Sequence, residues 1–136
     1  ATLSAALTSG VRMAAGLDYV RGERREEGTA RTPLPSIPPL RGRLDLRYDT
    51  PRGWIGATTR AVGAQDRVAP QEDRTAGYVL LDLDAGVRID RGGHHTIVVR
   101  VDNATNRLYR DHLSRVEERG FPMPARNLAV VLRTRF

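Results

Sequence analysis

Residues 127–136 read NLAVVLRTRF, and the orientation of this stretch decides the fold. Successive side chains of a strand face opposite ways, so Leu128, Val130, Leu132, Thr134 and Phe136 share one face and Asn127, Ala129, Val131, Arg133 and Arg135 the other. One face is apolar and the other carries charge. A soluble sandwich uses such strands too, but an alternating segment that stops on an aromatic residue suits the closing strand of a membrane barrel. The rest of the chain decides between them.

The same period of two recurs upstream. Residues 1–7 alternate weakly and lead through the turn Thr8-Ser9-Gly10 into residues 11–22, where Val11, Met13, Ala15, Leu17 and Tyr19 oppose Arg12, Ala14, Gly16 and Asp18. Residues 23–39, ERREEGTARTPLPSIPP, are charged and then Pro-rich, so the sequence predicts a loop that no ladder crosses. Residues 40–50 set Leu40, Leu44, Leu46 and Tyr48 against Arg41, Arg43, Asp45, Arg47 and Asp49. After a turn at Pro51-Arg52-Gly53, residues 54–65 are strand-like but built of small side chains, and their facing stays open. A polar loop over 66–77 precedes residues 78–89, where Val79, Leu81, Leu83, Ala85, Val87 and Ile89 oppose Asp82, Asp84, Gly86 and Arg88. A turn at 90–94 leads to residues 95–103, with Ile97, Val99 and Val101 against Thr96, Val98, Arg100 and Asp102. Residues 104–123 form a last long loop, with a helical turn expected at 106–112.

The connections therefore run short, long, short, long, short, long, as in transmembrane barrels with brief periplasmic turns and longer outer loops. This predicts an all-β, antiparallel up-and-down transmembrane β-barrel fragment of about seven strands. Tyr48 and Trp54 then fall at the periplasmic rim and Tyr19 and Tyr78 at the outer rim, where aromatic belts sit. The central apolar faces of the strongly alternating strands hold no Arg, Asp or Glu, each of which would cost about 2–4 kcal/mol there. The opposite faces hold Arg41, Arg43, Arg47, Arg88, Arg100, Arg133 and Arg135 with Asp45, Asp49, Asp82, Asp84 and Asp102. These are expected to face the lumen and to pair across neighbouring strands, at about 0.2–1 kcal/mol per pair.

Composition excludes several classes. No run of about 18 apolar residues exists, so a transmembrane helix is excluded, although a barrel is not. There is no cysteine, hence no disulfide or thiolate chemistry. The net charge of +6 comes entirely from Arg against Asp and Glu, with no Lys. These arginines are scattered along strands and loops, which argues against a nucleic-acid partner, since phosphate binding needs a focused footprint. Ser36 and Ser114 lack a positioned base, and neither a phosphate-cradling Gly loop nor metal-hydrolase spacing occurs, so no enzyme and no cofactor is expected. Asp111 and His112, with Glu117 and Glu118, are the residues of the last loop able to offer oxygen and nitrogen to a captured metal, although solvated loop charge is the favoured reading, since flanking carboxylates are too common to define a site. The opening ATLSAAL reads as part of a longer or processed chain.

The segment LPSIPP followed by Arg41, the junction Glu72, Thr75, Gly77 and Tyr78, then NATNRLYRDHLSR (103–115), PMPARN (122–127) and the final Phe136 together resemble the C-terminal barrel of TonB-dependent outer-membrane receptors. Their order and spacing span about three quarters of the chain. The family often has Gly where Ala125 stands. The resemblance implies residues 1–136 as the C-terminal portion of a 22-stranded barrel in the outer membrane of a Gram-negative-type bacterium, with its N-terminal plug and TonB-contacting segment upstream. It also implies import of a scarce nutrient such as a ferric chelate, another metal complex, cobalamin or a sugar. The expected partners are outer-membrane lipid, the remaining receptor, the TonB complex and the barrel-assembly machinery, which would read Leu128, Val130, Leu132 and Phe136. The competing reading is a self-contained soluble β-rich binding module with a basic surface for an acidic partner.

Overall fold

The structure, a computed structural model, describes residues 1–25, 31–90, 92, 94–114 and 123–135. Its strands are β1 (Thr2–Ala6), β2 (Val11–Asp18), β3 (Glu23–Arg24), β4 (Thr32–Pro33), β5 (Arg41–Thr50), β6 (Gly53–Val62), β7 (Tyr78–Arg88), β8 (His95–Asp102) and β9 (Asn127–Thr134). Seven of them form one antiparallel sheet in the order β1-β2-β5-β6-β7-β8-β9. Each large strand pairs with the next large strand along the chain, which is the meander the alternating loops predicted.

Two local expectations need correction. The loop over 23–39 carries a ladder after all, the two-residue pairing of β3 with β4 in which Glu23 opposes Pro33 and Arg24 opposes Thr32. Pro33 is tolerated because this ribbon is all edge, with no further strand asking for its missing N–H. No helix occurs among the described residues, so the helical turn expected at 106–112 is absent. Asn103 and Asn106 hold left-handed backbones, with φ of 50° and 53°, and the Asn106 N–H donates to the Asn103 carbonyl at 2.8 Å. A right-handed helix cannot run through two such residues.

Register is set by matched faces. Ala5, Met13, Leu46, Ala57, Leu83, Val101 and Leu128 are successive cross-strand partners, forming one apolar row across all seven strands. The adjacent row on the other face runs Ala6, Arg12, Arg47, Gly56, Asp84, Arg100 and Ala129. A slip of one residue in β5, β7 or β8 would put charge into the apolar row. The same pairing settles β6. Ile55, Ala57, Thr59 and Ala61 lie with the leucines, while Trp54, Gly56, Thr58, Arg60 and Val62 lie with the charges.

The apolar face covers no core. Among the described residues the buried hydrophobics are Ala69, Tyr78 and Leu80, and the last two belong to the charged face at the long-loop end of β7. Ile55 stands mid-sheet yet remains 61% exposed, and Leu44, Leu46, Leu83 and Val99 are exposed too. A soluble module would cover a patch of this extent. Six of the seven sheet strands have eight to eleven residues, long enough to cross or nearly cross a bilayer when tilted.

Candidate functional site

The charged face and the loops at one of its ends carry the polar chemistry of the chain. At the short-turn end Trp54 lies on the charged face. Its indole Nε1 donates to Asp84 Oδ2 at 2.7 Å, and the Arg47 guanidinium sits 4.6 Å from the ring centroid. The ring lies against Gly86, where a Cβ would come within 2.2 Å of it, so only glycine leaves room. The expected rim belt is corrected accordingly. Tyr19 and Tyr48 are exposed on the apolar-facing parity, whereas Trp54 and Tyr78 share the parity of Asp82 and Asp84 and face the other way.

The middle of this face is neutralised mostly within strands. Arg43 grips Asp45 through two bonds of 2.7 Å, Arg47 Nε lies 3.1 Å from Asp49, and Arg100 Nε lies 2.7 Å from Asp102. Side chains two apart on a strand stand side by side on one face, so each Arg reaches the Asp that follows it. Pairs across neighbouring strands are formed by two arginines outside the expected set, Arg60 with Asp82 at 2.9 Å and Arg12 with Asp49 at 2.6 Å. Arg88 instead donates to the carbonyls of Thr50 and Pro51, bracing the 51–52 turn. Arg133 and Arg135, on or beside the edge strand β9, have no acidic partner among the described residues.

At the long-loop end the connections are tied to one another and to the sheet. Asp111 accepts from Arg41 at 3.4 Å, from the Tyr78 hydroxyl at 3.2 Å and from the Leu113 N–H at 3.0 Å. Tyr109 stacks on Tyr78 with centroids 4.5 Å apart, and burial raises its hydroxyl pKa. His112 Nδ1 lies 3.2 Å from Thr75 Oγ1. Glu72 accepts the Ser36 and Ala69 N–H groups, and the buried Gln65 side chain donates to the Ile37 carbonyl at 2.7 Å. Asn103 is the hub of the last loop. Its side chain accepts from Arg107 N–H and donates to the carbonyls of Arg107 and Pro124, while its own N–H donates to Asp82. In the first long connection, between β2 and β5, Glu23 is held below the usual carboxylate range, first by its hydrogen bond from Arg21.

These contacts leave an open cleft of about 1170 Å³ between the 71–78 and 107–114 segments. Asp111 and His112, two of the suggested metal ligands, are engaged with other side chains. Glu117, Glu118 and Phe136 lie outside the described residues. Among the described residues no three His, Cys, Asp or Glu side chains come together as a metal-binding group. Sequence reasoning missed Gln65, Asn103 and Trp54. The turn-prone Asn103-Ala104-Thr105-Asn106 run was the available signal for Asn103, while Trp54 needed its partner strands to be assigned a face.

An antiparallel meander with a bare apolar face and a charged opposite face defines part of the wall of a membrane β-barrel. The sequence matches the family model described as TonB dependent receptor-like, beta-barrel over residues 1–104, and the chain belongs to that family. Members are outer-membrane receptors of Gram-negative bacteria rather than enzymes. Among solved structures the chain is similar to the copper transporter OprC, with a TM-score of 0.87 and 26% identity over 99% of this chain. That match includes residues beyond 104, where the family model stops. The chain spans only 23% of the length of OprC. Among curated proteins none matches.

Proposed function

We propose that this chain forms the C-terminal part of the barrel wall of a TonB-dependent receptor that imports a scarce nutrient across the outer membrane. The observation that carries the reading is the two-faced sheet. Its apolar face has no protein to cover it, as lipid contact requires, and its opposite face is charged, as a wet or plug-filled lumen allows. In this reading Arg41, Arg43, Asp45, Arg47, Asp82, Asp84, Arg88, Arg100, Asp102, Arg133 and Arg135 line the barrel interior. The long connections lie outside the cell, where they help to hold substrate.

The remaining receptor supplies the other strands, the plug and the segment that engages TonB. Leu128, Val130 and Leu132 alternate on the apolar face of β9, and with Phe136 they form the signal for barrel assembly. A metal complex is the favoured cargo class, supported by the likeness to a copper transporter. The test is uptake of radiolabelled metal complexes by cells carrying the whole receptor, with and without the inner-membrane proton gradient. Gradient-dependent uptake is expected. Uptake that ignores the gradient, or a receptor that fractionates with soluble proteins, refutes the reading.

A further inference from the structure

The edge strand β9 differs from the strands before it in how its charge is balanced. Each arginine of β2, β5, β6 and β8 meets an Asp, and Arg88 of β7 donates to the carbonyls of Thr50 and Pro51. On β9 the charged face carries Asn127, Ala129, Val131 and Arg133, with Arg135 just beyond, and holds no acid. Arg135 stays in line with the ladder, its N–H donating to the His94 carbonyl at 2.9 Å. Both arginines are exposed, and neither guanidinium has an acidic partner or a hydrogen-bond acceptor among the described residues.

The β8 side offers them nothing. Thr96 stands directly across from Arg133, Val98 follows on the same face, and Asp102 is held by Arg100. In the adjoining turn Asp90 is occupied by the N–H groups of His94 and His95. What can neutralise the two cations lies on the other side of β9, along an edge whose backbone groups have no ladder partner in this sheet. The opposite edge of the sheet does not fit that place. β1 presents Thr2, Ser4 and Ala6 on the charged face, none of which carries charge. Six antiparallel pairings separate β1 from β9, so the two strands run in the same direction and cannot continue an antiparallel sheet by meeting each other. The lack of charge on β1 counts equally against a second copy of this sheet docking edge to edge. A guanidinium fork matches a carboxylate, and residues opposite or diagonal on neighbouring strands are within reach of one another.

From this imbalance we infer that the strand covering the free edge of β9 carries carboxylates beside Arg133 and Arg135, and that it belongs to the part of the receptor outside residues 1–136 rather than to β1 or a second copy. The inference rests on the receptor reading and adds the charge of one further strand to it. That strand is acidic on its charged face and is joined to this wall by ion pairs at the short-turn end.

The experiment is carbodiimide cross-linking of the whole receptor in outer-membrane vesicles, with the single variants Arg133→Lys and Arg135→Lys. Residues 1–136 contain no Lys, so each substitution introduces the one lysine amine of this wall. The carbodiimide activates a carboxyl group touching that amine, the amide bond forms with no spacer, and the displaced oxygen leaves in the urea. Peptide mass spectrometry then reads the partner. A link from position 133 or 135 to an Asp or Glu in another barrel strand of the same chain is expected. No link, a link to an acid within residues 1–136 or in the plug, or a link between two receptor molecules overturns the inference. Urea unfolding in lipid vesicles supplies a second measurement. Each lost pair lowers the folded-to-unfolded ratio about 1.4- to 5-fold, so Arg133→Gln/Arg135→Gln is expected to lose about 2- to 25-fold. Arg133→Glu/Arg135→Glu should lose more and recover when the cross-linked acid is changed to Arg. Equal losses in the two double variants overturn the ion pairs. Each overturning result leaves the receptor reading intact while the protein remains a heat-modifiable outer-membrane barrel, and loss of that property in wild type sinks both.

Discussion

Ala57 and Thr58 are neighbours in the middle of β6, the strand whose facing its own sequence does not reveal, and arginine at each position separates the two faces of the wall. Ala57 lies in the apolar row between Leu46 and Leu83. A guanidinium there enters the hydrocarbon at a cost of about 2–4 kcal/mol near the midplane. At 1.4 kcal/mol per tenfold, this lowers the folded population by a factor of roughly 30 to 700. Thr58 lies between Asp45 and Asp82, and its hydroxyl donates to Asp45 at 2.6 Å. Replacing it loses a hydrogen bond of about 1 kcal/mol, while a new cation between two carboxylates returns about 0.2–1 kcal/mol. Thr58→Arg is therefore expected to change stability by no more than about 1 kcal/mol, leaving Ala57→Arg the worse by roughly 1–4 kcal/mol. The assay is urea unfolding of the whole receptor in lipid vesicles, followed by heat-modified gel mobility. Equal costs, or a larger cost for Thr58→Arg, would refute the assignment of faces.

Gly86→Val drives a Cβ into the Trp54 ring and breaks the indole bond to Asp84; an overpacking loss of about 1–3 kcal/mol is expected in the same unfolding assay, against about 1 kcal/mol for Trp54→Phe, which removes only the hydrogen bond. Asn103→Ala strips three hydrogen bonds from a buried side chain at positive φ; about 2–3 kcal/mol of local stability should be lost and the 104–126 connection cut faster by added protease, whereas unchanged cleavage would deny Asn103 its role as hub. Asp90 accepts the His95 and His94 N–H groups, which lower its pKa to about 2. A carboxylate depressed on folding stabilises above its unfolded value near 4 and loses that contribution as pH falls towards 2. The stability gap between wild type and Asp90→Asn should therefore be constant above about pH 5 and close between about pH 4 and 2, and a gap independent of pH would exclude this carboxylate as the cause.

The sheet was legible because a wall between lipid and water imposes period two on every strand that crosses it. Leu44, Leu46 and Tyr48 against Arg43, Asp45 and Arg47 need no partner to be read. The same argument fails at β6, where Ala57, Thr59 and Ala61 are too small to mark a face, and only the register with β5 and β7 assigns Trp54 to the charged face. Tyr78 was placed at a membrane rim because its distance along the strand was considered before its parity with Asp82 and Asp84. The loop architecture was least legible. Gln65 reaches back 28 residues to Ile37, Glu72 reaches back 36 to Ser36, and Arg41 meets Asp111 across 70 residues. Local pattern carries no trace of such contacts.

Charge pairing explains why the cleft between the 71–78 and 107–114 segments was equally hidden. A net charge of +6 spread over the whole chain looks like background. Along β5 and β8, however, Arg43, Arg47 and Arg100 each close on the Asp two residues later and are neutralised inside their own strands. Such pairs do little to cross-link neighbouring strands, and they leave the register to backbone ladders and the apolar rows. They also remove the wall from the count of available cations. Lining the cleft at the long-loop end are Arg74, Arg107 and Arg110, whose guanidinium groups have no acidic partner among the described residues. The excess of positive charge therefore acquires a location only when every pair is subtracted. That subtraction turns a diffuse composition into a cleft lined by exposed arginines.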